Sequence, residues 1–145
     1  MIALRTEALQ LGYDDRPVLR GLDLEIRPGE LFVVAGASGC GKSTLLRALA
    51  GLLPPRAGTI LADGRPVRGP SPERALMFQD DALLPWRTAR RNVELPLAIR
   101  GMGRAQRRAR ATEWLARVGL AGQERRLPSQ HSGGMRQRVQ LARTL

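Results

Sequence analysis

Apolar and polar positions alternate at the start of the chain. In "VLRGLDLEI", Leu22, Leu24 and Ile26 fall on one side and Asp23, Glu25 and Arg27 on the other, and "IALRTEALQLGY" alternates more loosely. Period-two patterning of this kind predicts two strands, each with one wet face. "RPGE" at 27–30 reads as a turn, and "LFVVA" at 31–35, an unbroken apolar run, predicts a strand covered on both faces. The period then lengthens. In "KSTLLRALAGLL", residues 42–53, Leu45, Leu46, Leu49, Leu52 and Leu53 share one helical face, and Pro54 and Pro55 are expected to stop the helix. Residues 58–69 predict a hairpin turning at Asp63-Gly64. "RALMFQ" at 74–79 reads as another buried strand, followed by a loop containing a proline. From Ala89 to Gln123 the pattern is helical, most clearly over 104–118, where Ala111, Trp114, Leu115 and Val118 form a stripe opposite the arginines, which puts Trp114 in the core. "RRLPSQ" is a linker, and a last helix begins at Ser132 and runs through Leu145. The expected organisation is one α/β domain over 1–145, with a β-rich part at 1–80, a helical insertion at 81–131 and a terminal helix at 132–145.

Composition narrows the class. A chain of 145 residues with 43% hydrophobic content fits one domain with its own core. No run approaches the roughly 18 apolar residues that span a bilayer. Arg5 and Glu7 stand where a signal peptide needs an apolar segment, so a cytoplasmic protein is expected. The single cysteine, Cys40, makes neither an internal disulfide nor a cysteine-rich zinc site. The net charge of +11 attracts nucleic acid, acidic lipid and nucleotide phosphates alike. Aromatics are 3% of residues, too few to build a stacking platform for single strands, and solvated arginine-rich helix faces account for the charge. No nucleic-acid partner is expected.

The chemistry lies in "GASGCGKST". Gly36, Gly41, Lys42 and Ser43 have P-loop spacing, between an expected strand and a leucine-striped helix. Glycines let the backbone N–H groups of Gly36, Ala37, Ser38, Gly39, Cys40 and Gly41 curl around a β-phosphate, with the positive end of the helix behind them. Lys42 brings a point charge to the β- and γ-oxygens, Ser43 a hydroxyl for magnesium, and Thr44 a hydroxyl at the α-phosphate. Cys40 is a small side chain tolerated in the loop. Kinases, GTPases, helicases and transport ATPases all remain open at this point. A second glycine pair narrows the choice: in "HSGGMRQRVQLARTL", Ser132, Gly133 and Gly134 offer a hydroxyl and bare N–H groups to an anion at a helix start. Two cradles about ninety residues apart need not face one another within one chain. A head-to-tail homodimer, clamping one ATP between the loop of one protomer and the Ser-Gly-Gly of the other, is the economical arrangement.

On these motifs the chain resembles the ABC-type ATPases, the nucleotide-binding subunits of ATP-driven transporters. The signature segment usually written LSGGQ stands here as "HSGGM", the Q-loop glutamine is Gln79 in "MFQDD", and Tyr13, with Val18 nearby, looks like the aromatic that stacks on adenine. The resemblance implies a P-loop NTPase fold with a β-rich front and an inserted helical part, ATP and Mg2+ as ligands, and Gln79 sensing the γ-phosphate and metal. It implies integral membrane permease subunits as partners, docking after Gln79, and a periplasmic solute-binding protein reached indirectly. The implied location is the cytoplasmic face of the bacterial inner membrane. His131 replaces leucine and Met135 replaces glutamine in the signature, which leaves the Ser-Gly-Gly core; His131 is expected as an interface residue. Trp86 is expected to pack against a partner subunit. The family's magnesium aspartate, its water-polarising glutamate and its switch histidine follow the signature helix, so the 145 residues are expected to be the N-terminal portion of a longer subunit, slow in hydrolysis alone. Asp80 could be taken for the metal aspartate, but it precedes the signature segment. "LLPW" at 83–86 resembles the importer branch serving nitrate, sulfonates and taurine. A soluble ABC-type ATPase acting on nucleic acid or ribosomes is the alternative, supported only by charge.

Overall fold

The computed structural model describes residues 2–144, so Met1 and Leu145, the expected end of the last helix, lie outside the described residues. The chain forms two compact units, divided after Leu76.

In the first unit, β1 (Leu4–Tyr13) and β2 (Arg16–Ile26) are strands, as the alternation predicts, and they pair antiparallel with Leu4 opposite Ile26 and Tyr13 opposite Arg16. β3 (Ala57–Ala62) lies on the other edge of β1, and β4 (Arg65–Pro66) closes the predicted hairpin, giving the order β2-β1-β3-β4. Asp63 and Gly64 both have positive φ, 48° and 73°, as a two-residue turn requires. Helix α1 (Lys42–Leu49) buries Leu45, Ala48 and Leu49 against Leu9, Leu11 and Ile60 of the sheet.

Four expectations fail here. Leu46 and Leu52 are about half exposed, so the buried stripe is narrower than the leucine spacing implied. The helix also ends before the prolines: Gly51 turns left-handed at φ 80°, where a Cβ would lie 2.1 Å from the Gly69 carbonyl oxygen, and only glycine meets both conditions. Residues 31–35 are not a strand. Leu31 is 91% and Val33 74% exposed, because among the described residues no neighbouring strand takes up their backbone groups. An apolar run becomes a doubly covered strand only between such neighbours. "RALMFQ" fails for the same reason: residues 74–79 join no ladder, and Met77 and Phe78 are exposed.

The second unit is helical. Helix α2 (Ala89–Ile99) starts at Thr88, whose hydroxyl accepts the Arg91 N–H, while the N–H groups of Ala89 and Arg90 donate to the Arg126 and Glu124 carbonyls. Helix α3 (Arg104–Arg117) carries the predicted stripe, with Ala111 and Leu115 fully buried, Val118 packed against them, and Trp114 half-buried under the Arg117 guanidinium, 4.5 Å from its ring centre. A 3-10 turn at Pro128–Gln130 leads into α4 (Gly133–Thr144), which packs on α2 and α3 through Val139 and Ala142. Among the described residues no helix is long and apolar enough to cross a membrane.

Candidate functional site

The glycine loop lies in the first unit. Residues 36–40 are exposed, and Gly39 and Gly41 take φ of 82° and 100°, which lets the loop reverse onto the first turn of α1. At Gly41 a Cβ would sit 2.8 Å from Val18 Cγ1, so the strand before the loop fixes how closely it is held. The Lys42 ammonium donates to the carbonyls of Gly36 and Ala37, both at 2.8 Å, and lies 3.6 Å from Cys40 Sγ. Lys42 is thereby wrapped by the loop it belongs to. Ser43 is exposed at the helix start, whereas Thr44 is buried beside Tyr13.

Tyr13 ends β1 and meets the same helix: its hydroxyl accepts a hydrogen bond from Arg47 Nη1 at 3.1 Å. Hydrogen bonding from Thr44 foremost, then from Arg47, holds the phenol below its ordinary pKa. Tyr13 keeps 41% exposure. An oxygen-seeking divalent cation bound with a triphosphate fits this cradle: the exposed Ser43 hydroxyl is a hard oxygen donor next to the Lys42 charge.

Gln79, Ser132, Gly133 and Gly134 belong to the second unit. Ser132 Oγ accepts the Met135 N–H at 3.3 Å and its carbonyl accepts the Arg136 N–H at 2.9 Å, so this serine caps α4. The first two N–H groups of the helix, on Gly133 and Gly134, are those that an α-helix leaves without an internal partner. Both glycines are exposed, and among the described residues a Cβ on Gly134 would meet no atom within 4 Å. Met135 turns inward against the helical core. His131 is 5% exposed within its own unit, which corrects the expectation of an interface residue. Among the described residues neither of its ring nitrogens has a hydrogen-bond partner. Burial foremost, then the charges of Arg126 and Arg136, pushes the imidazole below its ordinary pKa. Gln79 is exposed in an irregular segment, and Trp86 is 72% exposed.

The periodicity gave no warning of the polar contacts that hold this second unit together. Asn92, fully buried, accepts the Leu84 N–H at 2.8 Å and donates to the carbonyls of Leu84, Arg87 and Thr88. Arg136 Nε meets Asp81 Oδ2 at 2.6 Å, and Arg143 donates to the carbonyls of Ala82 and Asp81. Burial pulls Arg143 below the usual arginine range, with Asp81 opposing. Gln140 is 1% exposed and also bonded to this segment. The available signal was a polar residue interrupting an apolar stripe, as Asn92 does beside Ala89 and Val93.

Residues 19–145 match the sequence profile of the ABC transporter family, and the chain belongs to that family. It is 50% identical over 142 residues to the taurine import ATP-binding protein TauB of Yersinia pestis bv. Antiqua, covering 98% of this chain and 56% of that protein. It is 49% identical over 149 residues to the protein of the same name in Pseudomonas aeruginosa PAO1, covering all of this chain and 57% of that one. The chain thus spans little more than half the length of these relatives. Two solved structures share the fold. One is a bacterial ABC transporter cassette in dimeric form, with a TM-score of 0.86 and 31% identity. The other is an ATP-binding cassette in a dimeric post-hydrolysis state bound to ADP and Pi, with a TM-score of 0.85 and the same identity. Each match covers 98% of this chain and 68% of the other. These are ABC ATPase cassettes, and the β-rich first unit with its glycine loop and helical second unit is the N-terminal portion of that P-loop fold.

Proposed function

We propose that the protein carrying this chain is the ATP-binding and ATP-hydrolysing subunit of an importer for taurine or a similar small solute such as a sulfonate or nitrate. The observation that carries the reading is the Lys42 ammonium held at 2.8 Å from two carbonyls of an exposed glycine loop at the start of α1. An ammonium so placed exchanges neutral carbonyl acceptors for phosphate oxygens when a nucleotide enters. Half identity to two proteins named for taurine import supports the transported class.

In this reading the loop amides and Lys42 bind the β- and γ-phosphates, and the exposed Tyr13 stacks on the adenine. Ser43 and Gln79 hold Mg2+, which when bound neutralises phosphate charge. Ser132 and the free amides of Gly133 and Gly134 receive the γ-phosphate of the ATP held by a second copy, so the working form is a head-to-tail homodimer. The two dimeric cassettes of the same fold support that assembly. Permease subunits in the inner membrane dock on the helical unit near Trp86, and a periplasmic solute-binding protein delivers the solute. The carboxylates for Mg2+ and for the attacking water, and the switch histidine, are assigned to the part of the subunit beyond this chain.

The test is ATP and Mg2+ binding by calorimetry with the subunit at its natural length, together with taurine uptake in cells carrying Lys42→Ala or Ser132→Ala. Loss of ATP binding in the first, and loss of uptake with retained ATP binding in the second, are expected. Uptake at the parent rate in both would overturn the reading.

A further inference from the structure

Helix α4 carries Ser132, Gly133 and Gly134 at one end and, further along, a buried amide with an unusual pair of partners. Gln140 lies at 1% exposure between Val139 and Ala142 on the face that closes the helical core. Its Nε2 donates to the Phe78 carbonyl at 3.0 Å and to the Asp80 carbonyl at 3.3 Å. The residue between those two carbonyls is Gln79. Arg136 and Arg143, four residues before and three after Gln140, stand on the same face of the helix. They extend the contact, Arg136 to the Asp81 carboxylate at 2.6 Å and Arg143 to the Ala82 carbonyl at 2.8 Å and the Asp81 carbonyl at 3.3 Å.

Residues 78–82 belong to no helix or ladder, so these side chains supply the order that regular structure would otherwise supply. Gln79 itself is exposed. A primary amide at 1% exposure is costly to bury unless its donors are used. An apolar side chain would fill the same space in the core without that cost, so packing alone does not call for glutamine here. The Phe78 carbonyl is half of the peptide unit leading into Gln79, so fixing that oxygen fixes the plane from which the residue departs.

We infer that Gln140 is a positioning residue for Gln79: by holding the carbonyls on either side, it presents the Gln79 amide to the nucleotide in one orientation. The inference rests on the reading of Gln79 as the γ-phosphate and Mg2+ contact. It adds a mechanical consequence. Ser132 lies about 12 Å from Gln140 along the helix axis at 1.5 Å per residue. One short rod thus ties Gln79, serving its own protomer's ATP, to Ser132, serving the partner's. A shift at one nucleotide then reaches the other without a loop rearrangement between them.

The test uses the subunit at its natural length, with Gln140→Met, which keeps length and volume and removes both donors, in parent and Gln79→Ala backgrounds. Turnover should fall about tenfold or more with the KM for ATP moved less than about twofold, as misplacement of a group that acts in the chemical step predicts. The affinity ratio of ATP over ADP should fall with it. In the Gln79→Ala background Gln140→Met should lower turnover no further. Melting curves show whether the variant folds, and Gln140→Asn, an amide on a shorter arm, is the second variant and should retain part of the turnover. Parent turnover in Gln140→Met while Gln79→Ala is impaired overturns the positioning role alone, as does a full additive loss in the double variant. Parent turnover in Gln79→Ala overturns the role given to Gln79 and the positioning role with it.

Discussion

Replacing Asn92 should loosen the turn at 84–88 on which Trp86 is carried. The Asn92 side chain is fully buried and makes four hydrogen bonds to that turn. Two of the partners have other bonds: the Leu84 carbonyl also accepts the Arg87 N–H, and the Thr88 carbonyl accepts the Asn92 N–H. Asn92→Leu therefore strands chiefly the Leu84 N–H and the Arg87 carbonyl. At roughly 1–3 kcal/mol for each buried polar group left unpaired, discounted because Leu84 and Arg87 are only half-buried, the expected loss is about 2–3 kcal/mol. That is a roughly 30- to 150-fold drop in the folding constant. Asn92→Asp should cost more at pH 8, because it keeps the acceptor for Leu84 but points a carboxylate at three carbonyls, and should recover in part at pH 5 as that carboxyl takes up a proton. Urea unfolding followed by circular dichroism reads both. If Asn92→Leu unfolds within about 0.5 kcal/mol of the parent, the range of an ordinary surface substitution, the turn does not depend on this amide and the reasoning fails.

Alkylating Cys40 should block ATP binding, because the thiol is exposed and lies 3.6 Å from the Lys42 ammonium, so any adduct occupies the loop proposed to cradle the phosphates. Calorimetry after complete modification checks this, and unchanged affinity would move the nucleotide elsewhere. His131 titrates below its ordinary value of 6.5 in the folded chain, so the unfolded chain takes up the proton first. Stability should therefore fall as pH drops below about 6.5 and level off once the folded pKa is passed. Melting temperatures between pH 8 and pH 5 should show the drop in the parent and a shallower one in His131→Leu; equal slopes would refute the assignment.

Local signals made the glycine loop, the Asp63-Gly64 turn and the α3 stripe legible, because each depends on residues within a few positions of one another. Residues 31–35 and 74–79 show the limit: their apolar runs are compatible with buried strands, but a strand exists only where a second segment pairs with it, and no described segment does. The prolines at 54 and 55 suggest a later end for α1 than Leu49, because the close approach of Gly51 to Gly69 is a tertiary fact. In the site, Lys42, Ser43 and the Ser132 cap follow from spacing, whereas Asn92 and Gln140 look in one dimension like surface polar residues. Their roles come from carbonyls 4 to 62 residues away in sequence.

The loop that folds its carbonyls around Lys42 arrives with a stand-in for its own guest. In the proposed reading, nucleotide capture is a replacement reaction at the lysine rather than a first contact, and an entering anion has to outcompete two peptide oxygens. On that reading weakly basic anions such as chloride should lose the contest, so the lysine would select its visitors before any adenine is recognised.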